Sequence, residues 1–164
     1  MRRPAVGAFA AAALMALGNP LAAQTLGAGL GPTFSLDGAG VDFHLMATLR
    51  FDREEGNPVG FRVDGMLQFT GSDNLIIGTA NALYNFVSSP ESRVRPYVIG
   101  GAGLYADGGT DFGINAGLGA TFPLGFGDSP ARAFAEARYH AIFAEGGTVD
   151  QLPLTVGIMF RVSR

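Results

Sequence analysis

The chain has 164 residues, of which 48% are hydrophobic and 25 are glycine, and its formal net charge is −3. This length is enough for one domain. The absence of cysteine excludes disulfides and thiolate metal sites, and the acidic balance argues against a general nucleic-acid binder, which would be basic.

The first segment has the features of an export signal. Two arginines follow the first methionine, and residues 5–17 form an apolar run that is too short to span a membrane. A Gly-Asn-Pro sequence then ends any helix, and we predict cleavage after Ala23. Residues 1–23 are therefore a predicted signal peptide, with an uncleaved anchor as the alternative, and residues 24–164 are the predicted barrel domain.

Clusters of Gly, Pro, Asn, Asp and Ser divide the mature chain into eight segments. No uninterrupted apolar run in it approaches the ~20 residues of a transmembrane helix. The segments fit strands tilted across a membrane better than the ~5–6 residues that are usual for soluble strands. The predicted strands are 25–36, 40–52, 59–71, 74–87, 94–106, 111–122, 131–143 and 151–162.

Most predicted strands alternate apolar and polar residues, which is the period of a strand with two different faces. In the second, every odd position from Val41 to Phe51 is apolar, whereas the even positions include Asp42, His44 and Arg50. The alternation is less clear in the first, fourth and fifth predicted strands.

Alternation alone does not say which face points inward. A soluble lipocalin-like barrel hides its apolar face, whereas an outer-membrane barrel exposes that face to lipid. Phenylalanines near both ends of the apolar faces, as at Phe43 and Phe51, suit the two membrane interfaces. The polar faces are rich in glycine, which a narrow lumen needs. We predict a closed, all-β, eight-stranded antiparallel up-and-down transmembrane barrel, with a soluble periplasmic barrel as the alternative.

The polar face supplies the candidate site, because charges confined in a lumen must be paired or hydrated. If the residue numbers of each facing pair in the second and third predicted strands add up to 114, Arg50 lies opposite Asp64 and Asp52 lies opposite Arg62. A sum of 112 would instead oppose Arg50 and Arg62, so we predict the first register. We expect a structural charge network, with a small polar conduit or ligand site as the alternative. Its predicted members are Asp42, His44, Arg50, Asp52, Arg62, Asp64, Arg95, Asp111, Glu136, Arg138 and His140.

The C-terminal segment resembles the closing strand of an outer-membrane β-barrel protein. Gly157, Phe160 and Val162 match the spacing of the signal that the barrel-assembly machinery recognises, although Val156 stands where a polar residue is usual and the chain ends in Val-Ser-Arg. Elsewhere, residues 95–105 and 134–140 resemble strands of small OmpA/OmpX-like barrels.

This resemblance, which covers residues 24–164, implies a location in the outer membrane. It also implies contact with outer-membrane lipids, recognition by the barrel-assembly machinery and a monomeric barrel. The N-terminus of such barrels is normally periplasmic, so connections 37–40, 71–74, 106–110 and 144–150 would face outward. All four are short, which disfavours an adhesin.

Catalysis is not favoured by the sequence. Some small outer-membrane barrels are lipid A deacylases with a His two residues before a catalytic Ser, but Ala141 and Ile142 follow His140. His44 and His140 alone are a weak metal signal. We predict a non-enzymatic protein without cofactor or metal, which has a structural or minor-permeability role in the envelope. The alternative is a barrel that binds a small molecule or lipid, either in the membrane or as a soluble periplasmic carrier.

Overall fold

The computed structural model describes residues 23–52, 57–71, 74–86, 93–125 and 131–162. No helix within these ranges is long and apolar enough to cross a membrane. Of the predicted signal peptide, only Ala23 is among the described residues. The described residues form eight strands, which are β1 (Ala23–Ser35), β2 (Val41–Asp52), β3 (Val59–Phe69), β4 (Asn74–Asn85), β5 (Arg95–Ala106), β6 (Asp111–Pro123), β7 (Ala131–Ala144) and β8 (Gly147–Val162).

Each strand pairs antiparallel with its neighbours in sequence, and β1 also pairs with β8 to close the barrel. The predicted closed, all-β, eight-stranded antiparallel up-and-down barrel is therefore confirmed. The one substantial boundary difference is at β8, which begins at Gly147 because Ala144 already pairs with it across a tight turn. Gly146 and Gly147 have φ values of 119° and 149°, a backbone conformation that glycine adopts readily. Most of the predicted connection 144–150 is thus paired strand.

The apolar face of the alternating strands points outward, as predicted. Leu118 is 66% exposed and Val156 is 57% exposed, whereas polar residues of the opposite parity are buried. Aromatic pairs lie on the outer face, where the rings of Phe43 and Phe69 stack with their centroids 6.4 Å apart. Phe51 is an exception, since it has outward parity but is buried.

Strands β4 and β5 place apolar residues in the lumen, which is why their two faces are hard to distinguish in the sequence. Leu83, Tyr97 and Ile99 form one buried cluster near the end of the barrel where β1 begins and β8 ends. A second lumen cluster consists of Met46, Met66, Leu75, Ile77, Tyr105, Phe134, Ile142 and Met159.

Glycines on neighbouring strands make room for the aromatic rings inside the lumen. A Cβ at Gly119 would lie 2.5 Å from Cζ and Oη of Tyr97, its partner across the β5–β6 ladder. A Cβ at Gly157 would lie 2.5 Å from Cε1 of Phe134 across the β7–β8 ladder. Each ring occupies the space that a side chain on the facing glycine would need, so the glycines let the aromatic rings fit inside the lumen.

Candidate functional site in the barrel lumen

The register of β2 and β3 differs from the prediction. Arg50 lies opposite Arg62, and the facing residue numbers sum to 112, so the predicted pairs of Arg50 with Asp64 and Asp52 with Arg62 are wrong. The two guanidiniums reach different partners: Arg62 binds carboxylates, whereas Nη2 of Arg50 donates to Oδ1 of Asn85 at 2.6 Å. Arg50 also lies over the ring of Tyr97, 5.8 Å from its centroid.

Four charged side chains from β3 and β7 form a closed cycle of ion pairs, here called the ion quartet: Arg62, Asp64, Glu136 and Arg138. Arg62 lies 2.9 Å from Asp64 through Nε and 2.7 Å from Glu136 through Nη2. Arg138 lies 2.9 Å from Asp64 through Nη1 and 2.8 Å from Glu136 through Nε. All four side chains are buried, and two arginines balance two carboxylates, so the quartet is formally neutral.

Uncharged polar groups also bind the ion quartet. Tyr97 Oη donates to Oε2 of Glu136 at 2.6 Å, and Asn81 Nδ2 donates to Oδ2 of Asp64 at 3.0 Å. Neither residue is among the predicted site residues, because the alternation of β4 and β5 is unclear in the sequence. A usable signal was the polar pair of Thr79 and Asn81, which share one face in the middle of β4.

The two histidines lie in the lumen but outside the ion quartet. Nδ1 of His44 lies 2.9 Å from Oγ1 of Thr33, and its Nε2 lies 2.9 Å from Oγ1 of Thr155. Nδ1 of His140 lies 2.8 Å from Oη of Tyr105. Within the described ranges, no group of three or more His, Cys, Asp or Glu residues could hold a metal ion.

The remaining predicted site residues lie apart from the ion quartet. Asp42 accepts a hydrogen bond from Nε2 of Gln68 at 2.8 Å. Arg95 is exposed where β5 begins, and Asp111 is half-buried where β6 begins. The side chain of Asp52 is outside the part of the chain that the structure describes.

No protein-family model matches the sequence, and no curated protein matches it. Solved structures do match. Neisserial surface protein A (NspA) aligns with a TM-score of 0.68 and 19% sequence identity, over 85% of this chain and 96% of that chain. The fold is that of the small outer-membrane β-barrels.

Two further structures share this fold. The N-terminal β-barrel domain of Pseudomonas aeruginosa OprF aligns with a TM-score of 0.57 and 14% identity, over 84% of this chain and 97% of that chain. The outer-membrane enzyme PagL aligns with a TM-score of 0.54 and 12% identity, over 84% of this chain and 99% of that chain. Because a surface protein, a barrel domain and an outer-membrane enzyme share the fold, function must be argued from the residues of this chain.

Proposed function

We propose that this chain is a non-enzymatic, monomeric outer-membrane protein with a plugged lumen and a structural role in the cell envelope. The observation that carries the proposal is the ion quartet, which lies buried at the centre of a barrel whose outer face is apolar. Its partners would be the surrounding outer-membrane lipids and, during insertion, the barrel-assembly machinery that recognises the C-terminal strand.

The exposed apolar surface supports a membrane location. Large apolar side chains are exposed on all eight strands, including Leu30 on β1, Ile76 on β4 and Leu118 on β6. Soluble monomers rarely expose contiguous apolar patches larger than a few hundred Å². Lipid chains cover such a surface without the cost of hydrating it.

The ion quartet supports a plugged lumen. Each of its two carboxylates is within ion-pair distance of both arginines, so a passing ion would have to compete with fixed partners. Separating a buried ion pair by removing one partner typically costs ~3–5 kcal/mol, and a solute would have to offset a cost of this kind. A large steady conductance is therefore not expected.

The position of His140 supports a non-enzymatic role. Its side chain is 1% exposed and engaged with Tyr105 inside the lumen, and Ala141 follows it in the sequence. A serine nucleophile two residues later, as in lipid A deacylases, is replaced by Ile142. His140 therefore has a packing and hydrogen-bonding role in this proposal.

Two measurements test the proposal. The chain expressed with its N-terminal segment in a Gram-negative host should fractionate with the outer membrane and show a heat-modifiable gel shift; recovery in the soluble periplasm would overturn the membrane location. The purified barrel in planar lipid bilayers should give no stable conductance steps, and regular steps that depend on protein concentration would overturn the plugged lumen.

A further inference from the structure

One end of the barrel carries a group of arginines that the ion quartet does not use. Arg50, Arg95, Arg132 and Arg161 lie near the ends of β2, β5, β7 and β8, at the end of the barrel where β1 begins. All four have inward parity, since they alternate with outward-facing residues on their strands. We call these four residues the arginine mouth.

Two members of the arginine mouth lie on either side of Thr121 in β6. Arg95 lies directly opposite Thr121 across the β5–β6 ladder. Arg132 reaches Thr121 from the other side, with its Nε 3.2 Å and its Nη2 3.1 Å from the Thr121 hydroxyl oxygen. Arg95 and Arg132 thus flank one threonine.

The other two members flank a threonine of β1. Arg161 and Arg50 lie opposite Thr25 in the β1–β8 and β1–β2 ladders. Arg161 is also diagonal to Arg132, whose direct partner is Met159, and diagonal neighbours across a ladder are ~7–8 Å apart. Coulomb repulsion from Arg95, Arg50 and Arg161 acts on Arg132, so the four charges share one electrostatic environment.

Three of the four members of the arginine mouth, Arg95, Arg132 and Arg161, are at least partly accessible, whereas Arg50 is buried. Within the described ranges, no carboxylate lies in ion-pair distance of Arg95, Arg132 or Arg161, which contrasts with the balanced quartet above them. Arg95 and Arg161 are exposed and Arg132 is half-buried. Neighbouring like charges destabilise a ladder unless a counter-ion neutralises them.

We propose that the arginine mouth is a binding site for a phosphate group. A guanidinium presents a planar fork that matches phosphate oxygens, and arginines from three different strands would contact different oxygens of one tetrahedral anion. A single carboxylate has only two oxygens and one charge, so it would satisfy fewer of these forks. The phosphate could belong to a phospholipid headgroup or be free in solution, and the chemistry of recognition is the same.

Inorganic phosphate is the first probe. The full barrel in a phosphate-free maltoside detergent, at constant ionic strength set with chloride, is titrated and followed by calorimetry. The double variant R132Q/R161Q should bind phosphate at least about tenfold more weakly, because charge-assisted hydrogen bonds contribute about 1.5–3 kcal/mol each. R93Q is the control: it removes one charge at the same end, outside the arginine mouth, whereas the double variant removes two, and it should stay within about twofold of the parent.

Lipid is the second probe, offered as phosphatidylglycerol or as diacylglycerol with the same chains. If the protein retains phosphatidylglycerol but not diacylglycerol, and R132Q/R161Q loses this retention, the site binds a lipid headgroup. If it binds inorganic phosphate but neither lipid, the site binds a free anion. Binding of neither overturns the proposal, as does equal weakening by R93Q, which would show a general charge effect. If the double variant does not fold, R161Q alone changes an exposed side chain and gives the same comparison.

Discussion

Glu136 shows how a charge is kept inside this lumen. One of its oxygens lies 2.7 Å from Arg62 and 2.8 Å from Arg138, and the other accepts a hydrogen bond from Tyr97 at 2.6 Å. Burying a lone carboxylate would be far too costly, but these partners replace the water that it loses. The buried Glu136 carboxylate is therefore stabilised by its three partners together rather than by any single ion pair.

The substitution Glu136→Gln tests this balance. It leaves two buried arginines with one carboxylate, and we expect the free energy of unfolding to fall by ~3–5 kcal/mol, the usual cost of breaking a buried pair. Asp107→Asn is the control, since it also removes one carboxylate but from an exposed connection, and it should change stability by less than about 0.5 kcal/mol. Urea unfolding in lipid vesicles, followed by the gel shift, measures both; equal values would contradict the account.

A glycine pair tests the filled lumen at the same scale. In Gly119→Ala the new Cβ would lie 2.5 Å from the Tyr97 ring and 2.8 Å from the Ala135 carbonyl oxygen, so Tyr97 must move away from Glu136. We expect destabilisation of about 1–3 kcal/mol, as for other overpacked interiors. Gly65→Ala, where a Cβ meets no atom within 4 Å, should be close to neutral. The same urea unfolding assay measures both variants. An unchanged free energy of unfolding in Gly119→Ala would show that the lumen is less tightly packed than described.

At the scale of the elements, pairing follows the outer face more than the lumen charges. The observed β2–β3 register places Phe43 opposite Phe69 and Leu45 opposite Leu67, at the cost of opposing Arg50 and Arg62. Long, flexible arginine side chains can turn toward separate partners, whereas directly facing aromatic and branched side chains pack at fixed distances.

Cysteine cross-linking measures that register, and the chain has no cysteine of its own. L45C/L67C joins directly facing residues, so mild oxidation should form a disulfide readily. L45C/F69C matches the sum of 114, but its Cα atoms are diagonal and ~7–8 Å apart, too far for an easy bridge. Faster cross-linking of the second pair would show that the strands are shifted by two residues.

The number, order and facing of the strands could largely be predicted from the sequence, because turn residues and alternation are local signals. The register could not, because it depends on partners from other strands: Arg62 is matched by Glu136 of β7, which no pairwise comparison of β2 and β3 includes. Tyr97 and Asn81 were missed for a related reason. Their strands carry Leu83 and Ile99 on the lumen face, so polarity does not separate the two faces.

For the whole molecule, the arrangement is the reverse of a soluble barrel. The charged side chains lie at the centre of the barrel and the apolar side chains lie on its outer face. Glycines on the strands leave room for aromatic rings inside the lumen. Such a surface is favourable only where lipid replaces water, so the same physical cause links this fold to the proposed membrane location.

The most direct test of this inside-out arrangement is a spin label at L118C, on the outward face of β6, in phosphatidylcholine vesicles. A label at D107C, on an exposed connection, is the reference. Because oxygen partitions into lipid and a charged-ligand nickel complex stays in water, we expect L118C to collide more with oxygen and less with nickel than D107C does. Collision with nickel at L118C equal to or above that at D107C would contradict the account.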